Sequence, residues 1–205
     1  MRMNALKAFL GWAALGCVIA VPIGVAATSP LLQWRDPVYI ASGFAGIIAM
    51  VLLVVQPLLV GGYLPGVPRR SGRTLHRWTG ALLVMAVVLH VAGLWRTSPP
   101  DMIDALLFVS PTPFSPWGVA AMWAIFAAAL LAVFRLRASL RLRTWRLGHS
   151  GLVIAAVVAS VVHALLIEGT MGTLSKVLLC GVVIAAIAKV LFDLRAWKTL
   201  TRPRG

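Results

Sequence analysis

Six long apolar runs, broken by short polar connections, account for most of this chain. They fall at about residues 8–27, 38–60, 76–95, 117–134, 149–167 and 174–194, each close to the roughly 20 residues a helix needs to cross a bilayer. The pattern predicts an all-α fold, a polytopic bundle of six transmembrane helices forming a single domain over residues 1–205. Val25-Ala26-Ala27 resembles a processing site and Leu15-Gly16-Cys17 a lipoprotein site, but the first run is long for a signal's apolar core. It reads as the first span, kinked at Pro22. Gly61-Gly62 and Pro65-Gly66-Val67-Pro68 close the second span, and Arg69 to Thr74 reads as a basic loop before a third helix that begins at His76. Arg96 to Pro116 is the longest connection, with a short interfacial helix expected at Asp101 to Phe108. A second basic loop holds Arg135, Arg137, Arg141, Arg143 and Arg146, and a fifth helix is expected to begin near His149.

Composition places these runs in a membrane. Hydrophobic residues make up 60% of the chain, charged residues 12%, and the mean hydropathy is +0.94, values of a lipid-embedded protein rather than a soluble domain. A net charge of +14 would suit a nucleic-acid partner, but the cations cluster in the connections, as positive-inside insertion produces. No nucleic acid is expected; the partner is membrane lipid. With the N-terminus, the connections after the second and fourth spans and the C-terminal end inside, 16 of the 19 Lys and Arg lie inside, leaving Arg35, Arg96 and Lys176 outside. Both termini are then cytoplasmic. Cys17 and Cys180 stand alone in apolar runs and read as small buried hydrophobes.

The chemistry lies in the histidines. There are only four, and they form two pairs, His76 with His90 and His149 with His163, each fourteen residues apart. On a helix that spacing puts both rings on nearly one face, offset by roughly 40° and separated by roughly 21 Å along the axis. The third and fifth spans start on the same side, so His76 shares a level with His149 and His90 with His163. Interfacial placement or helix-to-helix hydrogen bonding explains any one of the four, but not the equal spacing on two parallel helices. Ionisable groups inside a membrane mark function by default.

Zinc or copper would call for thiolate, carboxylate or further histidine ligands at each level, and Asp36, Asp101, Asp104 and Glu168 lie in outer connections, with Asp193 at the inner end of the sixth span. Two ligands per level suit haem, whose ring supplies four nitrogens. Without a Cys-x-x-Cys-His motif the attachment is non-covalent, hence two b-type haems. Gly80, Gly93, Gly148, Ser150 and Gly151, near the histidines, are candidates for admitting a flat cofactor. Arg73, Arg77 and Arg146 are candidate partners of the haem propionates, with Arg96 a comparable candidate outside.

The six spans, the histidine pairs on the third and fifth, and the settings Leu-His-Arg-Trp-Thr-Gly and Trp-Arg-Leu-Gly-His resemble the ferric reductase-like transmembrane domain superfamily. That group includes ferric reductases, NADPH oxidases and the haem subunit of the bacterial methionine sulfoxide reductase system. The resemblance implies transmembrane electron transfer, an inner haem iron held by His76 and His149 and an outer one by His90 and His163. Both axial positions of each iron would be filled, which favours outer-sphere electron passage. The chain would be the haem-binding membrane component of an oxidoreductase, in the bacterial inner membrane. Larger relatives carry flavin and nicotinamide domains, whereas this sequence ends at Gly205 without a Gly-x-Gly-x-x-Gly fingerprint. A separate donor is therefore expected, a flavoprotein reductase or membrane quinol, with a periplasmic redox partner or small molecule as acceptor. The alternatives are a cytochrome b561-like carrier and a haem-free small transporter or scaffold, the latter disfavoured by the lack of intramembrane carboxylates.

Overall fold

The computed structural model describes residues 2–135 and 141–193. In chain order the elements are α1 (Arg2–Ala27), a 3₁₀ turn (Pro30–Leu32), α2 (Pro37–Gly61), α3 (Arg69–Thr97), α4 (Pro99–Leu106), α5 (Ser115–Phe134), α6 (Leu142–Leu166) and α7 (Thr173–Asp193). All the α-helices except α4 are long and apolar enough to cross a membrane. The chain is therefore an all-helical integral membrane protein with six candidate spans, and α4 is the short helix anticipated in the longest connection.

Both histidine-bearing helices begin well before the positions the apolar runs suggested. α3 starts at Arg69 rather than His76, so the stretch Arg69 to Thr74 is helix and not a basic loop. α6 starts at Leu142 rather than near His149, taking Arg143 and Arg146 into its first turns. The physical reason is the same for both. An apolar run marks where lipid begins, whereas the helical backbone continues as long as the residues favour it, and arginine and leucine favour it well. His76 and His149 accordingly sit about two turns inside their helices instead of at the ends. Arg137 and the basic tail residues Arg195, Lys198, Arg202 and Arg204 lie outside the described residues. Pro22 falls within α1, which runs through it without a break.

Local signals fix the ends that matter to the interior. Asp36 caps α2, its Oδ1 accepting from the backbone N–H of Val38 at 2.7 Å and Tyr39 at 3.3 Å, next to Pro37 at the first helical position. Gly62 closes α2 in the left-handed conformation, φ +69°, where a side chain would be strained. Arg69 also packs against it. The far end of α6 is capped by Lys176 from the start of α7, whose Nζ donates to the carbonyls of Leu165 at 3.2 Å and Ile167 at 2.5 Å. A cation is favourable at a helix C-terminus.

α2 is the most buried span and the centre of the bundle, packing on α3, α7 and α1. α5 pairs with α6, and α7 touches both α2 and α6. The molecule is thus two antiparallel hairpins, α2 with α3 and α5 with α6, joined through α7. Val54 and Val183 are its most completely buried large side chains. Many outward residues, such as Phe9, Val133 and Leu174, are open, as expected where hydrocarbon tails complete the packing. The α1 helix is tied to the turn after α2 by Trp12 Nε1, which donates to the Pro65 carbonyl at 3.2 Å.

Candidate functional site

The two histidine-bearing helices run in the same direction, and each leans on its own hairpin partner rather than on the other. Their side chains nevertheless meet. The rings of His90 and His163 lie with centres 6.5 Å apart and planes at 80°. His149 and Arg77 are within electrostatic reach of His76. The structure thus brings His90 and His163 face to face, and places His149 near His76 at the other level.

Three of the four rings are oriented by backbone carbonyls. His90 Nδ1 lies 2.8 Å from the Ser42 carbonyl of α2, His163 Nδ1 2.8 Å from the Phe114 carbonyl at the start of α5, and His149 Nδ1 3.3 Å from the Ala128 carbonyl of α5. A carbonyl can only accept, so each Nδ1 carries the proton, and the lone pair of the neutral ring is left on Nε2. This is the outer hydrogen bond that orients metal-ligating histidines. The fourth ring, His76, lies beside the backbone of Gln56, but its buried Nδ1 has no partner in hydrogen-bond geometry.

These contacts reveal an internal repeat. Ser42, whose carbonyl holds His90, and Gln56, whose backbone lies beside His76, are fourteen residues apart on α2, and the acceptors Phe114 and Ala128 are fourteen apart on the α5 side. The histidines follow them at nearly the same distance along the chain, 48 residues for Ser42 to His90 and 49 for Phe114 to His163. The spacing from carbonyl to histidine in the first hairpin thus recurs in the second with one residue more. Each hairpin offers a helix carrying two rings beside a helix whose backbone holds one ring in the first hairpin, His90, and both rings in the second.

The surroundings of the two levels differ. Beside His163 stands Phe114, ring centres 5.8 Å apart at 71°. At the other level Trp145, one turn before His149, stacks on it with ring centres 5.4 Å apart and planes at 13°. The Arg135 guanidinium in turn lies 4.6 Å from the Trp145 ring centre. Near His76, Gln56 Nε2 donates to Thr79 Oγ1 at 2.8 Å. In the sequence Trp145 stands out only as part of the Trp-Arg-Leu-Gly-His setting, with no role of its own, although its spacing of four from His149 is a readable helical signal.

The arginines nominated for propionates are all exposed: Arg73, Arg77 and Arg146 lie on the turns around His76 and His149, and Arg96 at the other end of α3. Two of the nominated small residues pack closely against a neighbouring helix. Gly93 meets Ser42 and lets α3 approach α2, Gly148 faces Leu131 of α5, and Gly151 faces open space.

The residues fit a haem at the His90 and His163 level. Two metal–nitrogen bonds of about 2 Å, plus roughly 1 Å from each nitrogen to its ring centre, call for centres roughly 6 Å apart, against the 6.5 Å observed. The unpartnered Nδ1 of His76 belongs to the other pair. Among the described residues no group of three or more His, Cys, Asp or Glu is placed to hold a metal ion.

Fold and site define a class: a helical membrane protein with six candidate spans that carries two histidines on each of two parallel helices and turns His90 and His163 toward each other inside the bundle. The family described as "Ferric reductase like transmembrane component" matches residues 42–160, more than half of the chain, and the chain belongs to it. The match opens at Ser42, which holds His90, and takes in His76, His90 and His149. Membership brings with it transmembrane electron transfer as the class of function. Comparisons with curated proteins and with solved structures gave no match.

Proposed function

We propose that this chain carries electrons across the membrane through two b-type haems, one between His76 and His149 and the other between His90 and His163. The observation that carries the reading is the facing of His90 and His163, each with Nδ1 tied to a carbonyl and Nε2 free. Haem supplies one-electron cycling of iron when bound. The chain's own part would be to hold each haem by one histidine from each hairpin, to fix the ring tautomers, and to keep water out of an apolar interior. Non-covalent attachment follows from the lack of a Cys-x-x-Cys-His motif.

The end of the bundle with Arg69, Arg70, Arg73, Arg77, Arg135, Arg143 and Arg146 is the cytoplasmic side by the positive-inside bias, with both termini there and the bacterial inner membrane as the location. Electrons enter at His76 and His149 from a flavoprotein reductase or membrane quinol. They leave from His90 and His163 to a periplasmic redox protein or small acceptor, making the chain the membrane component of an oxidoreductase. Arg73, Arg77 and Arg146 stand where propionates of the cytoplasmic haem would meet them.

Purified protein in sealed vesicles, with ferricyanide trapped inside and a membrane-impermeant reductant outside, tests this. Haem-dependent loss of ferricyanide colour, abolished in His163→Ala, is the expected result. Vesicles no faster than protein-free ones would contradict electron transfer across the membrane.

A further inference from the structure

The hydrogen bonds that orient His90 and His163 depend on two residues that neither the histidine pattern nor the family match singles out. On α2, one turn after the Ser42 carbonyl, stands Gly46; a Cβ there would lie 3.0 Å from His90 Nδ1 and 3.1 Å from Cε1. On α5, one turn after the Phe114 carbonyl, stands Gly118, where a Cβ would lie 2.6 Å from His163 Cε1 and 2.7 Å from Nδ1. The two positions correspond under the internal repeat. In both hairpins a histidine reaches a carbonyl over the glycine four residues further along the same helix.

The geometry explains why. A carbonyl inside a helix points along the axis toward the residue four ahead, and the Gly118 N–H accordingly donates to Phe114 at 3.1 Å. A side ring that shares that carbonyl must pass over residue i+4, where a Cβ would stand in its way. The neighbouring Gly43 and the α7 residue Gly181 meet nothing within 4 Å, so their lack of a side chain has no such use.

We infer that Gly46 and Gly118 are paired positioning residues, each admitting one ligand histidine to its carbonyl and so presenting Nε2 of both to one iron. The inference rests on the proposed bis-histidine haem at this level. Alanine favours helix over glycine, so an adverse effect at these positions comes from the ring and not from the backbone.

Three variants, Gly46→Ala, Gly118→Ala and the control Gly43→Ala, are compared for haem per chain, midpoint potentials and the low-spin ferric electron paramagnetic resonance signal, which reports axial ring orientation. Gly46→Ala needs a movement of only a few tenths of an ångström. It is expected to keep both haems and to shift the signal and potential of the His90 and His163 haem alone. Gly118→Ala, with the closer approach, is expected to lose that haem and keep the other, which reports that the bundle still folds. Gly43→Ala should match wild type. The Gly46→Ala result decides: unmoved signal and potential, or a shift equal to that of Gly43→Ala, overturns the inference whatever Gly118→Ala does. A wild-type chain with no haem at this level would instead defeat the ligand reading itself.

Discussion

The two levels of the bundle contain the same residues on the same repeat and are built differently. At the His90 and His163 level both Nδ1 atoms sit 2.8 Å from carbonyls, with a glycine beneath each ring and Phe114 at the side. At the His76 and His149 level one bond is 3.3 Å, the other absent, and an aromatic stack leads from His149 through Trp145 to Arg135. One level is fixed by the backbone and enclosed by apolar groups. The other is held more loosely and opens toward exposed arginines. A chain that takes up electrons at one end and holds them at the other would use such a contrast, because a low dielectric and fixed dipoles tune a haem potential differently from nearby cations.

The sharpest way to break the comparison is to remove a ligand. His163→Ala or His90→Ala should abolish one haem of the two and leave the other, read by haemochrome quantification and a redox titration that goes from two components to one. His149→Ala should remove the opposite component. If either change left both components in place, the pairing of levels would be wrong. A smaller effect is expected from Trp145→Ala, which deletes a stack of the kind worth about 0.5–1.5 kcal/mol. Haem content should be largely kept while the potential of the His76 and His149 haem alone moves, and Trp145→Phe should restore most of it.

The smallest effect concerns the clamp between the hairpins and α7. The Tyr63 hydroxyl donates to Asp193, which also pairs with Lys189 at 2.9 Å. Burial first, and then the bond to Asp193, raise the Tyr63 hydroxyl pKa above its usual 10.0. Because the folded value lies above the unfolded one, this contribution is complete below about pH 10 and is lost as pH rises through the folded value. Tyr63→Phe should lower Tm by less than about 4 °C and flatten the alkaline limb of the Tm against pH curve. An alkaline limb the same as wild type would remove Tyr63 from the account.

How much of this was legible in the sequence follows from where each signal is stored. The spans and the histidine levels were readable because hydropathy and a fourteen-residue spacing are side-chain properties. The starts of α3 and α6 were not, since Arg69 to Thr74 and Leu142 to Gly148 carry helix-favouring residues outside lipid, where hydropathy is silent. The acceptors at Ser42, Phe114 and Ala128 were hidden for a different reason: they act through backbone oxygens that every residue possesses. Among the small residues singled out near the histidines in sequence, Gly93 and Gly148 pack against Ser42 and Leu131. Gly46 and Gly118 lie more than forty residues from the rings they admit, and only the paired hairpins bring them there.

The central claim is that each facing pair of histidines holds a haem. A dithionite-reduced minus oxidised spectrum of the purified protein, with pyridine haemochrome quantification per chain, tests it most directly. The account predicts two low-spin b-type haems per polypeptide. Protein made with ample haem supply and isolated without any would contradict it.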